Sequence, residues 1–485
     1  MDSTALQELL ADGINVSSRA SSNHLHHTWA KTFFAHPELY IKPRSVEEVQ
    51  NVVRLARRYD RHLVTVGSGH SYSDLTCTAD WMMNLDELKE ILHVDRQNRL
   101  VTVQAGIRLR DLGKQLEEHG LTLTNIGSID DPSLAGALAT GTHGGSLQHG
   151  LISDSVDSLR LVRADGELVN CSTDSNVALF RAALVSLGAV GVTVEVTLKA
   201  DHAVNVKWRE SRQPLSTVLA NWPRLWESHE FVRVNLLPYT QSAIVLTADA
   251  TDQPVQRPPT SFAGKISAYI QGMMLAMSNK LPRILPWMEW FVSGVQYGFG
   301  ARTKVKEGVS LARECFLMDF PYSQLADEWA LPLELGPEAI VRLSAWLNGD
   351  QNVAQIPVSC KNIWINSPIE IRAVDTRGNE RSRPFLDPSC RKGPTLYMNA
   401  TLCRPFLQDP YSRAGYYEAF EFLMGQLHGR PHWAKNFSTV GASELHQSYG
   451  GDMDQWVRIQ REVDPKGMFL NAWHHRNLPV SSAPI

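Results

Sequence analysis

The residues best suited to chemistry lie in a short glycine loop that follows a predicted strand. Residues 64–72 read VTVGSGHSY, with glycines at positions 67 and 69. Glycine lets the backbone approach a ligand closely, and successive N–H groups form a concavity that binds anions such as pyrophosphate. A Rossmann dinucleotide fingerprint needs a third glycine at position 72, where this chain has Tyr72. The loop is therefore predicted to bind phosphate without belonging to a Rossmann fold.

A second run of small residues extends from Ser133 to Ser146, with the sequence SLAGALATGTHGGS. Small side chains are poor core material, but they allow backbone to lie against a flat, extended ligand. Thr140 and Thr142 could supply hydroxyls to phosphate or ribose. Residues 186–192, SLGAVGV, have the same character. Each run alone also fits a glycine-rich surface loop, whereas the three together favour one cofactor site.

The three motifs GSGHS, SLAGALATGTHGGS and SLGAVGV resemble the FAD-binding half of the vanillyl-alcohol oxidase/PCMH (VAO/PCMH) flavoprotein superfamily. Within it, the chain is most similar to the sugar-1,4-lactone oxidases. The resemblance covers the first 200 residues and about the last 120, and it is weakest from about 200 to 350. It implies an α+β fold with an FAD-binding domain at 20–200, an α+β cap (substrate) domain at 201–425, and a C-terminal segment, 426–485, that returns to the flavin.

The resemblance also implies FAD as the cofactor, bonded covalently through the histidine of the first motif, His70. It implies no metal. The residues that it places against the cofactor are Val66, Gly67, Ser68, Gly69, His70, Ser71, Ser128, Ser133, Gly136, Thr140, Gly141, Thr142, His143, Gly191, Val192, His432 and Lys435. Gly127 precedes the serine that family members set against substrate and flavin, and as the smallest residue it would leave oxygen a path. We therefore expect an oxidase that makes hydrogen peroxide.

Three residues near the C-terminal end match the family's catalytic positions. Glu370 and Arg372 share one face of a predicted strand in PIEIRAVD, because side chains alternate along a strand. Lys435 stands in PHWAK. From spacing alone, an ion pair on a solvated strand face is favoured for Glu370 and Arg372, and an exposed lysine in a turn is the alternative for Lys435. The resemblance implies that Arg372 stabilises the developing alkoxide, Glu370 binds substrate hydroxyls, and Lys435 promotes hydroxyl ionisation.

The resulting hypothesis is an FAD-dependent oxidase that acts on the C2 hydroxyl of an aldono-1,4-lactone. The partners would be O2 and a small sugar lactone, with D-arabinono-, L-gulono- and L-galactono-1,4-lactone all compatible, and the product would be of ascorbate type. An alditol (polyol) oxidase and a flavoprotein scaffold without activity are the alternatives. Two histidines near the C-terminus, His474 and His475, receive no role and could be a surface pair.

The elements that must position these motifs alternate between helix and strand over the first 200 residues. Ser45 and Glu48 fit a helix-capping box, and Asp165-Gly166 is a strong hairpin signal. Hydrophobic periodicity predicts strands at 62–66, 100–103 and 190–198, helices at 46–58, 109–119 and 180–187, and a hairpin over 156–170. Polar, proline-rich or charged loops are predicted at 251–261 and 374–393.

The overall composition limits the partners of the chain. A net charge of −4 without a basic face argues against nucleic acid. The six cysteines form no C-x-x-C pair, which favours reduced thiols in an intracellular protein. The N-terminus lacks a secretory pattern and carries Asp2, Glu8 and Asp12, which a mitochondrial presequence avoids. We expect a cytoplasmic or mitochondrial protein.

One apolar segment, residues 264–300, is rich in Met and Trp but is interrupted by charged residues. It is too often interrupted for a membrane span. One interpretation is a pair of buried or half-buried helices broken near Pro282 and Pro286. The other is an interfacial segment in peripheral contact with a membrane, with aromatic residues on one side and Lys and Arg on the other.

Overall fold

Helices and strands are mixed in the computed structural model, which describes residues 19–256, 272–300, 303–318, 322–378 and 382–480. Within these residues there are 21 strands. The first eleven are β1 (Ala20–Ser21), β2 (His26–His27), β3 (Phe34–Ala35), β4 (Leu39–Ile41), β5 (Leu63–Val66), β6 (Trp81–Asn84), β7 (Ile91–Asp95), β8 (Leu100–Gln104), β9 (Leu121–Thr122), β10 (Val156–Val162) and β11 (Leu168–Ser172). The others are β12 (Val192–Lys199), β13 (Asp201–His202), β14 (Asn205–Pro214), β15 (Phe231–Leu237), β16 (Ser242–Thr251), β17 (Val305–Leu311), β18 (Gln324–Pro332), β19 (Ile369–Val374), β20 (Thr395–Cys403) and β21 (Arg430–Pro431).

The helices lie between these strands and after the last of them. Those before residue 300 are α1 (Val46–Arg58), α2 (Leu109–Glu118), α3 (Leu134–Ala139), α4 (Val177–Leu184), α5 (Leu215–Ala220), α6 (Trp222–Glu227), α7 (272–280) and α8 (Leu285–Tyr297). The later helices are α9 (Gly336–Leu347), α10 (Gln351–Ala354), α11 (Arg413–Gln426), α12 (Ala442–Tyr449), α13 (Gly451–Val463) and α14 (Ala472–Asn477).

The N-terminal part contains a four-stranded sheet in the order β1-β4-β6-β5 and a five-stranded sheet in the order β11-β10-β12-β8-β7, together with the two-stranded pairs β2-β3 and β13-β9. Strands β4, β5 and β6 run parallel, whereas the five-stranded sheet is antiparallel. Helix α1 buries Val49, Val52 and Val53 in the core shared by both sheets. The Ser45 cap of the predicted box is confirmed, because the Ser45 side chain accepts a hydrogen bond from the Glu48 N–H at 3.2 Å. The reciprocal half differs, since the Glu48 carboxylate accepts from the Arg44 N–H at 2.7 Å instead of from the Ser45 N–H.

The predicted hairpin is also confirmed. Strands β10 and β11 pair in antiparallel fashion, and Gly166 between them has φ +79°. Only glycine adopts that left-handed conformation without strain, so the Asp-Gly signal has a direct physical basis. The helix over 109–119 likewise ends where expected, before Gly120 with φ +72°.

The larger sheet has eight strands in the order β17-β14-β16-β15-β19-β20-β18-β21. Side chains alternate along each strand, so one face packs a hydrophobic core against helices α9 and α11. On β19, Ile369, Ile371 and Ala373 enter that core, and Glu370 and Arg372 therefore point to the opposite face. We call this opposite face the polar face, and its members include Arg233, Asn235, Gln324, Glu328, Glu370, Arg372, Asn399 and Thr401.

Two of the predicted loops and the apolar segment extend beyond the described residues. Residues 257–261 of the first loop, 379–381 of the second and 264–271 of the apolar segment lie outside them. The described part of the apolar segment forms α7 and α8, separated by a turn at Pro282–Ile284, and it buries Leu275, Leu285 and Met288. Pro286 does not break a helix, because it occupies the first turn of α8. Within the described ranges, no helix is both long and apolar enough to cross a bilayer.

Candidate active site

The glycine loop leaves strand β5 at Val66 and turns along the wall of a cavity. Residues 67–71 are free of regular structure, and none of their backbone N–H groups donates a hydrogen bond to another described residue. These residues are buried or half-buried, and N–H groups inside a protein are usually paired, so a run of five without a protein partner at a cavity wall suits the acceptors of a ligand. The loop is held from behind, where Asn84 Nδ2 donates to the Gly67 carbonyl at 3.1 Å.

The second motif packs directly against this loop. Ser133 caps helix α3, and a β-carbon added to Gly67 would collide with the Ser133 hydroxyl. The loop therefore packs against the Ser133 side chain only because Gly67 has no side chain of its own. The Thr140 hydroxyl donates to the Gly136 carbonyl at 3.1 Å, so it is already used within the helix.

The third motif closes the same wall. Gly191 has φ +132°, and a β-carbon there would lie 2.8 Å from the Val162 carbonyl oxygen. Val192 begins the strand that follows. The surface-loop alternative is therefore wrong for these runs, because residues of all three motifs line one cavity.

Of the predicted site residues, all but one line this cavity, including Gly127, Ser128, His143, His432 and the three predicted catalytic residues. The exception is Gly141. Its α-carbon faces Pro388 and Val185, and its φ of +73° accounts for the glycine. Gly141 therefore shapes the turn after α3 without contacting the cavity.

His70 lies at the cavity wall, with its ring stacked near Trp29 at a centroid distance of 5.6 Å. Its Nε2 atom is 2.8 Å from Asp131 Oδ2, a hydrogen bond that leaves Nδ1 without a partner among the described residues. Burial lowers the pKa of His70, and Asp131 opposes that shift. Burial would raise the pKa of Asp131, but His70 and the nearby Arg108 and Arg110 hold it below its usual range.

A row of polar side chains crosses four neighbouring strands of the polar face. Asn235, Glu370, Asn399 and Glu328 lie directly opposite one another on β15, β19, β20 and β18. Ser128, from the N-terminal part, donates its hydroxyl hydrogen to Glu370 Oε1 at 2.9 Å. The polar face therefore meets the glycine motifs across the cavity.

Glu370 and Arg372 are buried, at 8% and 5% exposure, so the solvated ion pair is wrong. Arg372 Nε lies 3.5 Å from Glu370 Oε1, and its Nη1 donates to the His143 carbonyl at 3.0 Å. These contacts hold the guanidinium flat against the sheet at the cavity wall. Lys435 is also enclosed rather than in an exposed turn, with its ammonium 4.9 Å from the Tyr72 ring centroid.

Glu328 is the main residue that the motifs missed. Its carboxylate lies 3.3 Å from Arg372 Nη2, 3.2 Å from His143 Nε2 and 3.2 Å from Lys435 Nζ. The contacts to His143 and Lys435 are close enough for ion pairing but are not aligned as hydrogen bonds. Burial alone would raise the pKa of Glu328, yet Lys435, His143 and Arg372 hold it well below its usual range.

Two buried histidines complete the wall. The His143 ring stacks on Tyr397 at 3.5 Å, and burial together with Arg372 lowers its pKa. Burial lowers the pKa of His432 to about 3, and its Nδ1 accepts a hydrogen bond from the Ala434 N–H. Burial therefore favours the neutral form of both imidazoles.

His143, His432 and Glu328 place potential metal ligands within 4.8 Å of one another. The Glu328 carboxylate already contacts two fixed cations, Arg372 and Lys435. A divalent ion would add charge beside those cations, so the electrostatics favour an anionic or electron-rich ligand here over a metal.

His474 corrects another expectation. It is buried at the cavity, and its Nε2 lies 2.9 Å from the Leu187 carbonyl oxygen, so it is not part of a surface pair. Asn471 fixes this segment, because its side-chain amide donates to the Leu75 and Cys77 carbonyls. Phe469 also lines the cavity, so the chain does return to the glycine motifs.

The cavity fits a flavin dinucleotide. Unpaired N–H groups of the glycine loop suit a pyrophosphate, small residues of the second and third motifs suit a flat ring, and the cations of the polar face suit an electron-rich one. The residues that would hold it come from all three motifs and from the segment around His432.

Family models and relatives agree with this geometry. A model described as FAD binding domain matches residues 37–172, and one described as D-arabinono-1,4-lactone oxidase matches 196–477. A putative D-arabinono-1,4-lactone oxidase of Neurospora crassa is 44% identical, covering 95% of this chain and 87% of the relative. D-arabinono-1,4-lactone oxidase of Yarrowia lipolytica is 34% identical over 95% and 98%. L-gulonolactone oxidase of Scyliorhinus torazame is 31% identical over 91% and 96%.

Solved structures show the same fold at low identity. Cholesterol oxidase from Brevibacterium sterolicum superposes with a TM-score of 0.75 at 15% identity, covering 94% of this chain and 96% of that one. Xylooligosaccharide oxidase from Myceliophthora thermophila gives a TM-score of 0.69 at 17% identity, over 99% and 100%. The predicted VAO/PCMH-type fold is thereby confirmed. The chain is an FAD-dependent oxidoreductase and belongs to the D-arabinono-1,4-lactone oxidase family.

Proposed function

We propose that the protein oxidises the C2 hydroxyl of an aldono-1,4-lactone with O2, giving an ascorbate-type product and H2O2. The observation that carries the proposal is the convergence of Glu370, Arg372 and Lys435 on the cavity that the glycine motifs line. D-arabinono-, L-gulono- and L-galactono-1,4-lactone are the candidate substrates. The names of the relatives support this class of substrate.

Each catalytic residue has a role that fits its surroundings. Arg372 is held by two protein acceptors and stabilises negative charge that develops on the substrate oxygen. Glu370, bonded to Ser128, accepts hydrogen bonds from substrate hydroxyls. Lys435 lies close enough to the cavity to favour the ionised hydroxyl. When bound, FAD supplies the hydride acceptor and passes the electrons to O2.

The polar face also offers groups that can recognise a polyhydroxylated substrate. Asn235, Gln324, Asn399 and Thr401 bring amide and hydroxyl groups to the cavity beside the catalytic residues. Such groups recognise hydroxyls by paired donors and acceptors, which a hydrophobic cavity cannot do.

The test is anaerobic mixing of the FAD-loaded protein with a panel of aldonolactones and alditols, followed by flavin absorbance. We expect rapid bleaching with at least one lactone and slower or no bleaching with alditols. Faster bleaching with alditols would assign the protein as an alditol oxidase. No bleaching with either class would favour a flavoprotein scaffold without activity.

Two further roles concern the cofactor. We propose that His70 forms a covalent bond to the flavin, supported by its place on the glycine loop and its position at the cavity wall. Gly127 provides a path for oxygen, supported by its place in the cavity wall, where an added β-carbon would fill the space beside Thr142. We further propose FAD-binding, cap and C-terminal parts at 20–200, 201–425 and 426–485, in a cytoplasmic or mitochondrial protein.

A membrane contact is the remaining part of the proposal. Helices α7 and α8 and the residues beside them expose Met273, Met277, Leu281, Trp287, Trp290, Phe291, Val295 and Phe299. Trp287 stacks on Phe291 at 5.2 Å, and Trp290 contacts Phe299, so the aromatic residues form one cluster. Lys280 ends α7 and Arg283 lies in the turn before α8, whereas Glu289 is turned inward to Thr240. Aromatic residues beside cations suit the interface of an anionic bilayer.

Sedimentation with vesicles tests this contact. The wild type is expected to sediment with phosphatidylserine-containing vesicles and not with neutral ones. Replacing Trp287 and Trp290 by Gln should abolish sedimentation, while Phe34→Ser, which alters an exposed aromatic far along the chain, should not. Equal recovery of wild type and double variant in the pellet would refute the contact.

A further inference from the structure

Glu328 is a buried residue whose carboxylate contacts three basic side chains at the cavity, those of Arg372, His143 and Lys435. Its side chain is 1% exposed, and its two oxygens divide their contacts. Oε1 faces Arg372 and His143, and Oε2 faces Lys435. Among the described residues, Lys435 has no other ion pair, so Glu328 is its counter-ion.

The backbone ties the two partners together as well. The His432 N–H donates to the Glu328 carbonyl at 2.8 Å, and the Lys435 N–H donates to the His432 carbonyl at 3.0 Å. The Asn436 N–H in turn donates to the Ala326 carbonyl at 2.9 Å. The segment that carries Lys435 is thus fastened along strand β18, beside Glu328 itself.

The preceding residue, Asp327, shows how Glu328 differs from an ordinary buried acid. Asp327 is also fully buried, but it lies on the opposite face of β18 and accepts a hydrogen bond from Trp329 Nε1 at 3.0 Å. No cation contacts Asp327 in the described part of the chain, and burial beside Glu421 raises its pKa well above the usual range. Two adjacent carboxyls therefore differ in their surroundings: the cations favour the ionised form of Glu328, burial favours the neutral form of Asp327, and only Glu328 faces the cavity.

We propose that Glu328 is a positioning residue that holds Lys435 and Arg372 at the cavity and cancels part of their positive charge. With Glu370, the four charged groups give two positive and two negative charges. Without Glu328, the cations Lys435 and Arg372 would remain at the buried cavity wall with Glu370 as the one anion of this group. Lys435 would lose its anchor, and the cavity would attract anions more strongly. The proposal rests on the proposed function only for its effect on turnover.

The charge effect can be measured without any lactone. Sulfite, an anion that adds reversibly to oxidised flavin, is titrated into the FAD-loaded protein and followed by loss of flavin absorbance. In Glu328→Gln we expect the sulfite dissociation constant to fall by about tenfold, because one nearby negative charge is gone. Glu328→Asp retains the charge and should stay within about threefold of wild type.

The positioning effect is measured by turnover. We expect kcat to fall by about 10- to 100-fold in Glu328→Gln, with a smaller change in KM, since catalytic alignment is lost more than binding. Glu328→Asp should recover part of kcat. Asp327→Asn is the matched control, because it changes a buried acid of the same strand away from the cavity, and it should leave both sulfite affinity and kcat unchanged.

Several results would overturn the proposal. One is a sulfite affinity in Glu328→Gln that equals or falls below that of wild type, and another is an equal change in Asp327→Asn. If Glu328→Gln does not retain FAD, Glu328→Asp decides the question, and a wild-type kcat in that variant contradicts the positioning role. If no lactone is a substrate, the proposed function fails while the sulfite result still stands on its own.

Discussion

Asp131 provides a test of the proposed covalent bond between His70 and the flavin. The Asp131 carboxylate lies 2.8 Å from His70 Nε2, and a proton held on Nε2 by this hydrogen bond would leave Nδ1 free to act as the nucleophile. It also opposes the effect of burial on the pKa of His70. We predict that Asp131→Asn slows covalent attachment of FAD without preventing FAD from binding.

The size of the effect follows from the exposure of the pair. A hydrogen bond to a charged group contributes about 1.5–3 kcal/mol. The Asp131 side chain is 44% exposed, so solvent screening reduces this to about 1–2 kcal/mol. Attachment should therefore slow by about 5- to 30-fold. Because Asp131 raises the pKa of His70, its loss should also shift the acidic fall in attachment rate to lower pH.

The assay adds FAD to flavin-free protein and follows the flavin that stays with the polypeptide after acid precipitation. Asp130→Asn is the control, since the Asp130 carboxylate makes no hydrogen bond or ion pair within the described residues. It should attach FAD at the wild-type rate. His70→Ala should attach none. An unchanged rate in Asp131→Asn, or an equal loss in Asp130→Asn, would refute the reasoning.

Other substitutions probe separate parts of the site. Arg372→Met should lower kcat/KM by about 100-fold or more, measured as steady-state peroxide production, because a buried charge that stabilises the developing alkoxide is lost; a loss under threefold would contradict its role. Gly127→Val should slow reoxidation of reduced flavin by O2 in stopped flow while leaving reduction by substrate intact, since even a β-carbon would lie 3.3 Å from Thr142 Cγ2; unchanged reoxidation would remove the oxygen path. Asn471→Ala should lower the free energy of unfolding by about 2 kcal/mol in denaturant titration, because a helix cap and two buried hydrogen bonds are lost; an unchanged midpoint would show that water replaces them.

Local rules predicted the elements that hold the cofactor motifs. The cap at Ser45, the hairpin at Gly166 and the break at Pro282 each depend on residues next to one another in the chain. Such features can be predicted from the sequence because residue types such as Ser, Gly and Pro each favour particular backbone conformations. The alternation of Glu370 and Arg372 was readable for the same reason.

The roles of residues that depend on distant strands could not be predicted from the sequence. Asp327 and Glu328 are adjacent acids in a strand, and nothing in the local pattern distinguishes the core face from the cavity face. Their difference arises only when β20 and β21 pair with β18 and bring Lys435 to one side. His474 was missed similarly, because its partner carbonyl at Leu187 is 287 residues away. Gly141 was assigned to the cofactor by its motif, although its conformation serves the turn.

The most direct test of the central claim is the anaerobic reduction of bound flavin by aldonolactones. The FAD-loaded protein is mixed with D-arabinono-, L-gulono- and L-galactono-1,4-lactone, and the loss of flavin absorbance is followed before and after admission of O2. The account predicts rapid bleaching by at least one lactone, then recovery of absorbance with release of one H2O2 per flavin. Flavin that stays oxidised with every lactone, in protein that binds FAD normally, would contradict it.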